Sequence, residues 1–157
     1  MLPSTILRDI EKTAIQNGLF VMGLKDFPKL AETTARAFDG DPLFTHMKKD
    51  ATFEQVRHHA LVTFKTLVNH SIVLSCNDKC NDYIVVCEPG FKTIKTMSYI
   101  LSSGLKTVFD YGIGGALRMI NYESYAPAMR KKFTGFNDLY LYQLATNPDF
   151  QSQGNGT

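Results

Sequence analysis

Gly154 and Gly156, in the terminal run Gln151-Ser152-Gln153-Gly154-Asn155-Gly156-Thr157, have the types and spacing best suited to chemistry. A glycine has no side chain, so backbone can approach a phosphate oxygen closely and φ is unrestricted. Successive N–H groups curling toward a helix start form a concavity that binds anions. The chemistry implied is the holding of a phosphate or diphosphate by main-chain amides. An apolar run, Leu139 to Ala145, and a turn, Thr146-Asn147-Pro148-Asp149, lead into it. Strand, turn and Gly-x-Gly in that order would deliver the amides as a group.

Other reactive residues are scattered. Cys76 and Cys80 flank a polar turn, while Cys87 sits in a β-rich run. A structural zinc site wants two close pairs converging on one point. Here there is one loosely spaced pair, so no metal is expected, and Cys87 reads as a small buried hydrophobe. His58 and His59 read as helix-surface histidines beside an apolar stripe. Strict alternation puts Tyr140 and Tyr142 on one strand face and Gln143 on the other. The tyrosines are expected to line core or pocket.

The elements that would position these groups are legible in outline. Ile6, Ile10 and Ala14 recur at helical spacing, so residues 1–17 form an N-terminal helix or a tail. Leu19 to Met22 reads as a short strand. Asp26 is placed to cap a helix carrying Phe27, Leu30, Thr34 and Phe38 on one face, and Asp39-Gly40-Asp41-Pro42 stops it. Thr52-x-x-Gln55 has the form of a capping box, followed by the stripe Phe53, Val56, Ala60, Phe64, Leu67. Ser71–Ser75 and Tyr83–Cys87, separated by a polar turn, predict a hairpin. Ile94, Met97, Leu101, Leu105 and Val108 predict a further amphipathic helix, interrupted by glycines at 112, 114 and 115. The strand over 139–145 comes last. The order predicts a single α/β domain of α+β type around one sheet.

Composition narrows the classes. With 157 residues, 44% of them apolar, the chain is one domain's worth of globular protein. The net charge of +2 is dispersed. Arg130-Lys131-Lys132 is a short cluster of the kind found at solvated helix ends, so no nucleic-acid partner is expected. No segment approaches the ~20 apolar residues that cross a bilayer, and no membrane role is expected. Without a secretory pattern at the N-terminus, three cysteines predict free thiols in a reducing, cytoplasmic setting.

The pattern Gln-x-x-Gly-x-Gly, preceded by Leu144-Ala145-Thr146-Asn147-Pro148-Asp149-Phe150, resembles the acyl-CoA pyrophosphate loop of the GNAT family of N-acetyltransferases. Ala37-Phe38-Asp39-Gly40-Asp41-Pro42-Leu43-Phe44 is similar to a helix-ending stretch found in many members. The hairpin ending in Cys87-Glu88-Pro89-Gly90 resembles one that often ends in Trp-x-Pro-Pro-Gly, with Cys87 in place of the tryptophan. The resemblance runs over residues 18–157 and implies the N-terminal part of the GNAT fold, a mixed, mostly antiparallel sheet flanked by helices.

That likeness implies an acetyl-CoA-dependent transfer of an acetyl group to a small-molecule or peptide amine, by direct attack of the amine on the thioester. It places the pyrophosphate at Gln151, Ser152, Gln153, Gly154, Asn155, Gly156 and Thr157. It runs the pantetheine arm along Leu144, Ala145 and Thr146, where a backbone N–H would polarise the thioester carbonyl as an oxyanion hole does. Asp41 and His46 fall in what would be the acceptor-side loop. Asp41 and Glu88 are carboxylates in plausible places for a base, but read first as exposed loop charges, and no catalytic residue is assigned. The family continues with a helix, a strand and a further helix, so the C-terminal part is expected to be absent. About 40–70 further residues would complete an ordinary domain. The alternative is a non-catalytic acetyl-CoA-binding or regulatory fragment. If the chain is complete, its 139–145 strand has an unpaired apolar edge, and self-association through it is expected.

Overall fold

The computed structural model describes residues 4–133 and 137–152. Ser4 caps the first helix, α1 (Thr5–Gln16), by accepting the Leu7 N–H at 3.4 Å. The N-terminus is therefore a helix and not a tail. Leu7 and Ala14 face inward, against Ile72 and Leu74. The chain then enters β1 (Phe20–Met22) and α2 (Phe27–Ala37).

Asp26 does not cap α2 as expected. Its backbone is already helical, at φ −91° and ψ −19°, so its carboxylate makes no bond to the helix and accepts the Gly23 N–H at 2.9 Å. The stop after α2 also begins a new helix, α3 (Pro42–Met47), because Asp41 accepts the Leu43 N–H at 2.8 Å and Pro42 occupies the first helical position. The capping box before α4 (Phe53–Leu67) forms in both directions, Gln55 N–H to Thr52 Oγ1 at 3.3 Å and Thr52 N–H to Gln55 Oε1 at 3.0 Å.

The expected hairpin is β2 (Ser71–Ser75) with β3 (Asp82–Cys87), Val73 opposite Val85. Its turn is built on Asp82. That buried carboxylate accepts the Cys76 N–H at 2.7 Å, the Ser75 hydroxyl at 3.1 Å and the Asn77 amide at 2.7 Å. With β4 (Tyr140–Thr146) the strands make a four-stranded antiparallel sheet in the order β1-β2-β3-β4. Helices α2 and α4 cover one face, where Phe27, Leu30, Phe64, Val73, Tyr83 and Val85 form the main core. Helix α1 covers the other face over β1 and β2.

One expected helix is not continuous. Residues 96–133 form α5 (Thr96–Tyr99), a wide turn over Ile100–Gly104 and α6 (Leu105–Phe133). Ser103, at φ 77°, breaks the ladder. A Cβ on Gly104 would lie 2.3 Å from the Tyr99 ring, so that ring packs directly on the glycine and sets the turn. The stripe Met97, Leu101, Leu105 consequently faces solvent, with Leu101 80% exposed, while Tyr99 and Thr107 turn inward. Gly112, at φ 70° and ψ 169°, kinks α6. Beside this break, the Asp110 carbonyl accepts from Lys48 Nζ at 2.9 Å and Gln55 Nε2 at 3.2 Å.

Candidate functional site

The residues of β4 do not alternate strictly. Tyr140 lies opposite Cys87, Leu141 opposite Val86 and Gln143 opposite Val85, leaving Tyr142 as the extra residue of a bulge. Val85 and Cys87 belong to the main core, so Gln143 shares their face. The expected separation of Gln143 from the two tyrosines is corrected by that extra residue. Tyr140, Tyr142 and Gln143 all border one cleft of about 300 Å³.

The cleft lies between β4 and the second half of α6. Phe91 and Thr93, just past β3, close one side, and Thr34, His59, Ala60 and Thr63 of α2 and α4 form its wall. Phe44 and Met47 of α3 give it an apolar end. Helix α6 reaches that end because Gly115 approaches the Met47 carbonyl, where a Cβ would sit at 2.7 Å. Arg118 donates to the same oxygen at 2.7 Å. The aromatic floor is mutually packed, with Phe91, Tyr140 and Tyr142 centroids 6.1–6.3 Å apart. The Arg130 guanidinium stacks 4.4 Å over Tyr140.

Glu123 is the carboxylate that borders this cleft. Tyr142 Oη–H donates to its Oε1 at 3.3 Å, and Thr93 Oγ1–H donates to its Oε2 at 3.2 Å. Burial raises the Glu123 pKa, and the two hydroxyl donors oppose the rise. Burial, with the Glu123 charge adding to it, pushes the Tyr142 hydroxyl well above its ordinary value. His59 is half-buried on the cleft wall and not a surface histidine. Its Nδ1 lies 2.7 Å from Tyr99 Oη, and burial, helped by His58, lowers its pKa to about 4.

The other expected groups stand elsewhere. Asp41 is the α3 cap, and His46 is on that helix and exposed, so the stretch expected to be a loop is a short helix. Glu88 pairs with His70 Nδ1 at 2.8 Å outside the cleft lining. Cys76 is exposed, whereas Cys80 and Cys87 are buried, and Cys80 Sγ lies 3.6 Å from Met22 Sδ. Among the described residues no three His, Cys, Asp or Glu side chains gather as metal ligands. No described helix is long and apolar enough to cross a membrane.

Of the expected cofactor residues, Leu144, Ala145 and Thr146 end β4. Leu144 borders the cleft and Ala145 is buried against Tyr83. A short 3-10 turn, Pro148–Phe150, follows, begun by Asn147 Oδ1 accepting the Asp149 N–H at 3.2 Å. Gln151 and Ser152 come next and are exposed. Gln153, Gly154, Asn155, Gly156 and Thr157 lie outside the described residues. Glu123 was missed by sequence reasoning. Its signal was there: it is the one acidic residue between Asp110 and Asp138, and Met119 precedes it by one helical turn.

The fold defines a mixed α/β protein with a four-stranded antiparallel sheet and a cleft on its helix-covered face. The chain matches no protein-family model and no curated protein.

Proposed function

We propose that this chain is an acetyl-CoA-dependent N-acetyltransferase of GNAT type, with the cofactor along the outer edge of β4 and the amine in the adjoining cleft. The observation that carries this reading is the double use of one strand. Tyr140, Tyr142 and Gln143 border the cleft, and Leu144 to Thr146 continue the same strand toward the Gly-x-Gly segment. Among the described residues, no strand pairs with the outer edge of β4, so its main-chain groups are open to a ligand's amide groups.

In the reaction, the amine nitrogen attacks the thioester carbonyl, the C–N bond forms and the C–S bond breaks. A proton leaves the nitrogen and the thiolate takes one up. A β4 amide N–H near Leu144 or Ala145 stabilises the developing oxyanion. The loop amides hold the diphosphate.

Calorimetry with acetyl-CoA tests the reading, followed by thiol release in the presence of amines. Saturable binding is expected, and Gly154→Val should weaken it about tenfold by crowding the phosphate approach, roughly 1.4 kcal/mol. No affinity for acetyl-CoA overturns the proposal, and unchanged affinity in the variant removes the loop from it. Binding without turnover across a broad amine panel selects the non-catalytic acetyl-CoA-binding alternative.

A further inference from the structure

We infer that the outward face of α5 and α6 lies on an anionic lipid surface, its apolar side chains among the headgroups and its lysines on the lipid phosphates. The inference is independent of the transferase reading. Met97, Leu101, Leu105, Phe109, Ile113 and Leu117 recur every four residues, and each is 54–83% exposed. The inward residues of α6 step by four as well. Thr107, Tyr111 and Gly115 are buried, and Met119 packs against the cluster of Phe44 and Met47. Two residues along an α-helix is a rotation of about 200°. Leu105, Phe109, Ile113 and Leu117 each precede one of these four by two, so they point away from the body.

At roughly 200 Å² for a fully exposed large apolar residue, the six leave about 800 Å² open, above the roughly 300–600 Å² of the largest patch on a typical monomer. None of the six lines the cleft or the hollows beside β1 and residues 88–95. Projecting side chains of this kind suit insertion between headgroups better than they suit holding a peptide in a groove.

Charge decides the occupant. Residues 92–133 hold seven Lys and Arg against Asp110 and Glu123, a net +5, whereas the whole chain is +2, so the remainder is net −3. Lys95 precedes α5, Lys131 and Lys132 close α6, and all three are exposed. Apolar side chains flanked at both ends by lysines match an anionic bilayer surface, where long basic side chains reach the phosphates. A second copy joined by this face across a two-fold axis would set like charges together. The expectation of no membrane role rested on the lack of a bilayer-length apolar run, and a helix lying in the interface needs none.

Co-sedimentation of the full chain with vesicles at about 0.15 M ionic strength tests the inference, comparing phosphatidylcholine alone with a mixture holding about 30% phosphatidylserine. The mixed vesicles are expected to bind about tenfold or more tighter. Phe109→Asp with Ile113→Asp should lower that binding about tenfold, and so should Lys131→Gln with Lys132→Gln. The chain has no tryptophan. Phe109→Trp therefore places a single reporter on the face, and its emission should shift to the blue on the mixed vesicles. No binding, or equal binding to both vesicles, overturns the inference, as does binding unchanged by either pair of substitutions or an unshifted emission. A dimer dissociated by Ile113→Asp, without vesicle binding, assigns the face to a second copy and likewise overturns it. If the aspartate pair does not fold, the tryptophan emission decides.

Discussion

His59 titrates far from where an exposed imidazole would. Its folded pKa of about 4 lies below the ordinary 6.5, so the unfolded chain binds more protons between those values. The contribution of His59 to stability is fully present above pH 6.5, is lost as pH falls and levels off below about pH 4. The upper limit of that loss is about 3 kcal/mol, since one pKa unit is 1.36 kcal/mol and the ring keeps some access to water. Urea denaturation from pH 4 to 7 should show this slope, and His59→Gln should flatten it. An unaltered slope would remove His59 as its source. Residues whose partners are close in sequence were the legible ones: Thr52 and Gln55 cap α4 as their spacing says. Asp26 was misread because a cap depends on its own backbone angles as well as on the residues that follow. Asp82 and Glu123 acquire their roles from distant or folded neighbours, which periodicity does not encode.

At the scale of elements, α6 is where glycine placement shapes the cleft. Gly112 turns the helix and Gly115 lets its second half close on α3. Gly115→Ala would set a methyl 2.7 Å from the Met47 carbonyl, with backbone on both sides of the contact. The expected cost is about 1–3 kcal/mol, read from the urea midpoint, with the apolar end of the cleft displaced as well. A variant as stable as the wild type would show that α3 moves freely. The sheet was legible because strand runs and turn residues are local signals, and the hairpin formed where its sequence placed it. The helix over 94–108 was not. A stripe of apolar residues at correct spacing says that one side is apolar, not that it faces inward, and Ser103 and Gly104 reset its phase. The bulge in β4 has the same lesson, since one extra residue shifts every later side chain to the opposite parity.

For the molecule as a whole, the outer half of the sheet is unevenly covered. Helix α1 shields β1 and β2, but Leu141 and Leu144 on β4 are 51% and 48% exposed. An apolar face beside an edge that no strand pairs with among the described residues invites pairing with a second chain. In the absence of acetyl-CoA, which would occupy the same edge, sedimentation velocity should show concentration-dependent dimerisation, and Leu141→Lys with Leu144→Lys should lower it about tenfold. A monomer at every concentration would dismiss this edge as an interface. An arrangement of helices around one sheet could be read from the apolar stripes, the β-rich runs and the turn residues between them. The cleft could not, because α3, α6 and β4 meet there from three distant stretches of chain.

The hairpin carries one more consequence. Of the three thiols, only Cys76 meets water, while Cys80 and Cys87 are sealed in the interior. Cys76 is also absent from the cleft lining. The protein therefore has a natural single attachment point: a fluorophore or spin label coupled through Cys76 would report on tumbling and distance without first engineering away other cysteines.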